Sequence, residues 1–235
     1  MHRSQIRSGL KYRDRRYRYA LKHWSNRLPG EPAFILGCAP SAATLNTSLL
    51  KNYFTIGINR SYRLLEPTIL LWQDRTVWET DGEQIMRLSS LRVAREGADP
   101  RKVCYNLHVK GGDYYFDPEK KTHILYGSGS TGAIAVEFAY ALGCYPIVLL
   151  GMDGKKDQDG NMDFYGRNPF WSPRTEASFN KALRQIRDKC PVEIINCSNN
   201  NYWPQKTLEE AISMTDSEKM LDKGREYYMQ TLTIS

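Results

Sequence analysis

The chain has no C-x-x-C spacing among its five cysteines and only four histidines, none in an H-x-x-x-H pair. That excludes the usual zinc signatures, and an odd, dispersed cysteine set (Cys38, Cys104, Cys144, Cys190, Cys197) reads as reduced thiols rather than a disulfide framework. No apolar run approaches the roughly 18 residues a membrane span requires; the strongest, Ile147 to Met152 with its flanks, is strand-sized. The Arg-rich N-terminus lacks an apolar segment behind it, so no secretory leader is predicted. These absences together predict a cytoplasmic protein. There is no G-x-G-x-x-G, and no acid about 20 residues beyond the first glycine turn to mark an NAD ribose site. Internal repeats and low-complexity stretches are absent too.

What is present is a chain of 235 residues, long enough for one good-sized core, with 41% hydrophobic residues to fill it. The net charge of +7 is unevenly placed. Residues 1–30 hold nine Lys or Arg against Asp14 alone, so the remainder carries 24 bases against 25 acids. Two parts follow: a basic arm over 1–30, ending at the Pro29-Gly30 turn signal, and a nearly neutral body over 31–235. In the arm, Tyr12, Tyr17, Tyr19 and Trp24 alternate with Arg13, Arg15, Arg16, Arg18 and Lys22. Aromatics among cations suit a nucleic-acid backbone with stacked bases, or an anionic membrane surface. The same pattern also fits a helix packing its aromatics on the body with its cations solvated.

In the body, Pro32–Gly37, Tyr53–Asn59, Thr68–Asp74, Pro146–Gly151 and Val192–Asn196 are short apolar runs bounded by turn residues, the pattern of buried strands. Ala42–Lys51, Ser130–Leu142, Thr175–Lys189 and Leu208 to about Met229 read as helices between or after them. Ser130 or Thr131 is placed to cap the second and Gly143 to end it. Strands alternating with helices predict an α/β, Rossmann-like fold with a mostly parallel sheet flanked by helices. Residues 81–126 and 154–173 read as irregular, lid-like insertions, the first with short antiparallel strands around Gly111–Pro118.

In open parallel sheets ligands bind beyond the carboxyl ends of the strands. Those ends read Gly37-Cys-Ala-Pro-Ser41, Asn59-Arg60, Gln73-Asp74 and Gly151-Met-Asp153, polar or glycine at each. Gly37, Pro40 and Ser41 sit where a strand enters a helix, where free N–H groups attract an anion. Gly127-Ser-Gly-Ser-Thr-Gly132, before the next helix, offers Ser130 and Thr131 for a ribose or phosphate. Both turns are equally compatible with a tight turn and a capping serine. Asp74 and Asp153 each follow a buried strand, where a carboxylate can hold a ribose, act as a base, bind Mg²⁺ or simply cap a helix. Asp163, Tyr165 and Arg167, with Lys155 upstream, lie in a long loop; the cation and hydroxyl groups there would neutralise a departing phosphate.

Phe34-Ile-Leu-Gly-Cys-Ala-Pro-Ser41, Ile56-Gly-Ile-Asn59, and Ser130-Thr-Gly132 through Leu142-Gly-Cys-Tyr-Pro-Ile-Val-Leu-Leu-Gly-Met-Asp153 together resemble the Rossmann-like group that includes the bacterial, Campylobacter-type sialyltransferases. The same group holds the DUF115-like proteins, many of them phage-encoded, and more distantly the archaeal hydroxymethylpterin diphosphokinases. The resemblance covers roughly residues 32–213, and 130–153 is its most specific stretch. It implies that Gly37, Pro40 and Ser41 line nucleotide phosphates, that Asn59 bonds the nucleotide, and that Ser130 and Thr131 meet its ribose or phosphate. The chain departs from the sialyltransferase pattern at several positions. Cys38 stands in place of Asn, Ser128 in place of Arg, and Lys155 in place of the first of two leaving-group tyrosines, the second mapping loosely on Tyr165. No histidine follows His123, so the sialyltransferases' catalytic histidine has no counterpart. In Asp163-Phe-Tyr-Gly166, Asp163 stands where the phage-type relatives carry a histidine.

These readings converge on a glycosyltransferase-like enzyme with a nucleotide-sugar donor. Asp74, Asp153 or Asp163 would deprotonate the acceptor, and Lys155, Tyr165 or Arg167 would stabilise the leaving nucleotide. The acceptor would be DNA, for instance modified phage DNA in a host cytoplasm, or a glycan. Two alternatives stand beside it: an Mg²⁺-dependent nucleotidyl or pyrophosphoryl transferase using Asp74 and Asp153, and a non-catalytic nucleic-acid-binding phage protein on a nucleotide-binding scaffold.

Overall fold

The computed structural model describes residues 24–101, 103–110, 116, 125–126, 130–166, 168 and 171–232. The arm cations Arg13, Arg15, Arg16, Arg18 and Lys22, together with Arg167 and Ser128, lie outside the described residues.

Four-residue runs of apolar side chains with no polar alternation can only be satisfied by a strand covered on both faces. Three of them form this way: β1 (Ala33–Leu36), β3 (Ile69–Trp72) and β8 (Ile147–Leu150) are buried at every residue, as is β2 (Thr55–Ile58). With β4 (Leu91–Arg95), β5 (Tyr105–Leu107) and β9 (Ile194–Asn196) they make a seven-stranded sheet in the order β5-β4-β3-β2-β1-β8-β9, and every pairing is parallel. The expected α/β architecture is therefore present. The chain winds outward from β1 to β5, then returns to place β8 on the other side of β1, so the winding direction switches between β1 and β8. Loops leaving the strands diverge at such a point and open a crevice.

Helices cover both faces. The α1 helix (Arg75–Arg87) packs Val77, Trp78 and Ile85 on Leu70, Trp72 and Ala94. On the opposite face lie α2 (Thr131–Ala141) and α3 (Pro173–Lys189), the latter through Ala182, Leu183 and Ile186. Leu208 and Ala211 of α4 (Leu208–Thr215) and Met220 of α5 (Glu218–Leu232) close over Phe34, Leu36, Val148 and Leu150. Every residue of α2 is buried, which is why its sequence is apolar all round instead of striped. Its single charge, Glu137, accepts the Phe116 N–H (3.3 Å).

Two expectations are corrected. Ala42–Lys51 is not a helix but two 3-10 turns, Pro40–Thr44 and Thr47–Leu50. At the second turn the Ser48 hydroxyl donates to the Asn46 amide oxygen, a local bond that competes with a helical ladder, and the Thr47 hydroxyl donates to Leu64 O. Within 81–126, the end of α1 and two members of the main sheet replace the predicted irregularity. Arg92, Arg95 and Asn106 break up their apolar pattern because β4 and β5 lie at or beside the sheet's edge. The small pair β6 (Val109–Lys110) and β7 (Leu125–Tyr126) is parallel, and the antiparallel strands expected around Gly111–Pro118 fall outside the described residues apart from Phe116.

Within the stretch read as arm, Trp24 and Leu28 are buried in the core. Trp24 meets Tyr105 and Phe138 edge-on at 5.3 Å, and Leu28 N–H donates to Leu142 O (2.8 Å). For Trp24 the packing alternative, not the nucleic-acid one, holds. All five cysteines are free. No described helix is long and apolar enough to cross a membrane.

Candidate functional site

A cleft of about 150 Å³ opens where the loops after β1, β2, β3 and β8 meet the N-terminus of α2. Cys38 and Ala39 follow β1; Ile58 and Asn59 end β2; Gln73 and Asp74 follow β3; Gly151, Met152 and Gly154 follow β8. Ser130, Thr131 and Gly132 contribute the helix start, and Met162, Asp163, Tyr165, Asn168, Trp171, Thr175 and Phe179 the far wall. This is the carboxyl edge of the sheet at its switch point.

Of the sequence-predicted residues, Asn59, Asp74, Ser130, Thr131, Asp163 and Tyr165 are brought together here. Asn59 holds a left-handed backbone (φ 50°), which Asn tolerates better than most residues, and its N–H donates to Leu71 O (3.0 Å). Its buried side-chain oxygen has no hydrogen-bond partner. Buried polar atoms are normally paired, so this one marks a place where a bound group would be favoured. Ser130 caps α2 by accepting the Ala133 N–H (3.2 Å), so its oxygen is already used as the sequence predicted, while Thr131 remains a buried hydroxyl on the wall.

The three candidate carboxylates are in different circumstances. Asp74 is at the N-cap position of α1 yet makes no capping bond, and no other hydrogen bond involves its side chain among the described residues. Loss of water against the cleft wall pushes its pKa up, partly opposed by the Arg95 guanidinium. Asp163, buried, accepts from Asn168 Nδ2 (2.7 Å) and Trp171 Nε1 (3.2 Å). Burial raises its pKa as well, against the pull of those donors, Tyr165 and Arg60. Asp153 does not face the cleft. Its carboxylate takes the Ser41 hydroxyl, the Ser41 N–H (3.1 Å) and the Asn199 N–H (2.9 Å), tying the turn after β1 to the segment after β9.

The turn Gly37–Ser41 differs from the expected phosphate cradle for the same reason. Gly37 N–H donates to Leu150 O (2.7 Å), Ala39 N–H to Gly151 O (3.0 Å) and Ser41 N–H to Asp153. Gly37 is glycine because a Cβ there would stand 2.1 Å from Gly151 O. The turn is a strand-to-strand clasp, with Pro40 starting the 3-10 turn. Lys155 is exposed and absent from the cleft wall, the sheet ending before the loop carries it outward.

Sequence reasoning did not single out Met162, Asn168, Trp171 or Phe179, and it named Cys38, Arg60, Gln73 and Met152 only as members of the strand ends, without a role. The Cys38 thiol donates to Ile58 O (3.3 Å), and burial pushes its pKa up to about 12, so it stays protonated. The cluster of aromatics from Phe164 to Trp171 in a long loop was the available signal for the far wall. No group of three His, Cys, Asp or Glu among the described residues is placed to hold a metal ion.

No protein-family model matches the chain, and no curated protein does. Among solved structures, a MAf glycosyltransferase from Magnetospirillum magneticum AMB-1 superposes with a TM-score of 0.53 and 19% identity over 84% of this chain. This chain spans only 37% of that protein's length. Two structures of the sialyltransferase CstII also match. One, from Campylobacter jejuni with the substrate analogue CMP-3FNeuAc, has a TM-score of 0.42 and 12% identity over 71% of this chain and 80% of that one. The other, with a trisaccharide acceptor and CMP, has a TM-score of 0.44 and 13% identity over 71% of this chain and 80% of that one. The structural neighbours are thus glycosyltransferases, alike at the level of the fold.

Proposed function

We propose that the protein is a glycosyltransferase-like enzyme that binds a nucleotide-sugar in the cleft between β1, β2, β3, β8 and α2. The observation that carries this reading is Asp74: an exposed carboxylate lining the cleft at the carboxyl edge of a parallel sheet, with no side-chain hydrogen bond among the described residues. Such a carboxylate is fit to accept a proton from an acceptor hydroxyl. Asp163 is less fit, since Asn168 and Trp171 occupy its lone pairs. Asn59 and Thr131 are placed to bond a nucleoside or sugar, and Trp171 and Phe179 to cover its apolar face.

The fold of the glycosyltransferase neighbours supports the reaction class, and their ligands, CMP and a CMP-sugar analogue, suggest the donor class. For the acceptor the arm's excess of eight positive charges favours a polyanion such as DNA over a neutral glycan. The DUF115-like kinship and a phage setting belong to the same proposal. The Mg²⁺-dependent reading draws less support, because Asp74 and Asp153 do not share the cleft.

A thermal-shift panel of UDP-, GDP- and CMP-sugars with ATP tests the proposal. One nucleotide-sugar class is expected to raise the melting temperature, by an amount that grows with the logarithm of its concentration above Kd. No shift with any of them would defeat it.

A further inference from the structure

The cleft presents a charge problem for an anionic ligand. Its described wall carries two carboxylates, Asp74 and Asp163, and no lysine or arginine. A phosphate beside either of them would be repelled. In the Gly37–Ser41 turn the N–H groups of Gly37, Ala39 and Ser41 are spent on Leu150 O, Gly151 O and Asp153.

Positive charge gathers instead at one corner. The Arg60 guanidinium lies 5.3 Å from the Tyr165 ring centroid and that of Arg63 5.8 Å from the same ring, and Tyr165 is part of the cleft wall. Both arginines share one salt-bridge partner. Asp81 Oδ2 accepts from Arg60 Nε (2.8 Å), Arg63 Nη2 (3.2 Å) and the Tyr62 hydroxyl (3.0 Å). Asp81 is the one carboxylate in salt-bridge contact with these guanidiniums among the described residues, while Arg60 also acts on Asp163 at longer range. Arg60, with its side chain 17% exposed, commits two of its five N–H donors to Asp81 and to Thr80 (2.7 Å) and also interacts with Tyr165 of the cleft wall. Two nearby cations are offset: Arg95 acts on Asp74, and Arg75 pairs with Glu79 (2.8 Å).

We infer that the oxyanion of the ligand is held at the Tyr165 corner by Arg60 and Arg63, with Asp81 fixing the two guanidiniums, and not by the Gly37–Ser41 turn. This rests on the nucleotide-sugar reading above and adds where its charged group lies. The oxyanion is a nucleotide phosphate or the carboxylate of a sugar acid; both offer the planar or forked oxygens that guanidinium recognises. Tyr165 stands between the corner and Asp163, so an anion there is kept off that carboxylate.

The test is a calorimetric titration of the full chain with cytidine, uridine, guanosine and adenosine, with their 5′-monophosphates, and with glucose and glucuronate. It uses the wild type, Arg60→Gln, Arg63→Gln and Lys155→Gln. In the wild type the charged member of one pair binds more tightly than its neutral counterpart. Each arginine variant is expected to reduce that advantage roughly tenfold, the worth of one charge-assisted bond, while neutral-ligand affinity holds. Lys155→Gln leaves it unchanged. Which pair responds, nucleotide or sugar acid, identifies the source of the oxyanion. If Arg60→Gln does not fold because Asp81 loses its partner, Arg63→Gln, which keeps the Arg60–Asp81 pair and alters a side chain 39% exposed, decides the matter. An undiminished advantage in the arginine variants overturns the inference while leaving the nucleotide-sugar reading intact. Failure of the wild type to bind any of these ligands overturns both.

Discussion

Replacing Asp74 by Asn is expected to lower the rate of glycosyl transfer by 10²- to 10⁴-fold, the usual worth of a positioned general base, while donor affinity changes little. The amide keeps the shape and the position at the head of α1 and removes only the ability to take a proton. Because Asp74 makes no hydrogen bond with its side chain, Asn leaves no partner stranded, and the melting temperature is expected to hold. The same group sets the pH dependence. Desolvation raises its pKa above the ordinary carboxylate value, and only the ionised form can act as base. Turnover is therefore expected to fall as the pH drops through that raised value, at a higher pH than an unperturbed aspartate would give. The acid limb should vanish in Asp74→Asn. By contrast Asp163→Asn, in which Asn168 and Trp171 keep an oxygen to donate to, should retain most of the rate.

Gly37→Ala is expected to destabilise the fold by about 3 kcal/mol or more and to remove ligand binding with it. The added Cβ would meet Gly151 O at 2.1 Å, Gly151 C at 2.9 Å and the Met152 side chain at 3.1 Å. The first two are backbone and cannot step aside as a flexible side chain would. Separating them pulls β1 from β8, the pair that defines the switch point, and breaks the Gly37 N–H to Leu150 O bond. Urea unfolding monitored by tryptophan fluorescence reads the change. A variant as stable as the wild type would show that the two loops are not held at this distance.

The Gly37 case also shows where sequence reasoning about the site stopped. A glycine at the end of a first strand in an α/β pattern is compatible with an anion cradle and with a close backbone crossing, and local sequence does not separate them. What decides is the partner 114 residues later, Gly151, whose approach follows from the β1–β8 pairing. Asp153 and Ser41 are a second instance: each sits at a polar strand end, and only tertiary placement turns them toward one another. Asn59, Asp74 and Thr131 were legible because position alone fixes their surroundings: the end of a buried parallel strand, or the start of a buried helix, faces the crevice.

The fold was legible to a similar extent. β1, β2, β3 and β8 announce themselves because strands covered on both faces carry uninterrupted apolar runs. β4 and β5 do not, since near the edge Arg92, Arg95 and Asn106 dilute the signal. The α1 helix was obscured by Thr80, Asp81 and Gly82. Asp81 is buried there because it serves the two arginines, a tertiary reason that leaves no periodic trace.

The central claim is that the cleft at the carboxyl ends of β1, β2, β3 and β8 is the nucleotide-sugar site. A second hollow, between Thr44, Asn46, Lys206 and Glu210, lies outside it and serves as an internal control. The most direct measurement is a titration with the nucleotide-sugar that shifts the melting temperature, followed by amide NMR on the isotope-labelled protein. Saturable shifts at Asn59, Thr131 and Asn168, with Asn46 and Lys206 unmoved, are the predicted result. Shifts confined to Asn46 and Lys206, or none at Asn59 and Thr131 at saturating ligand, would contradict it.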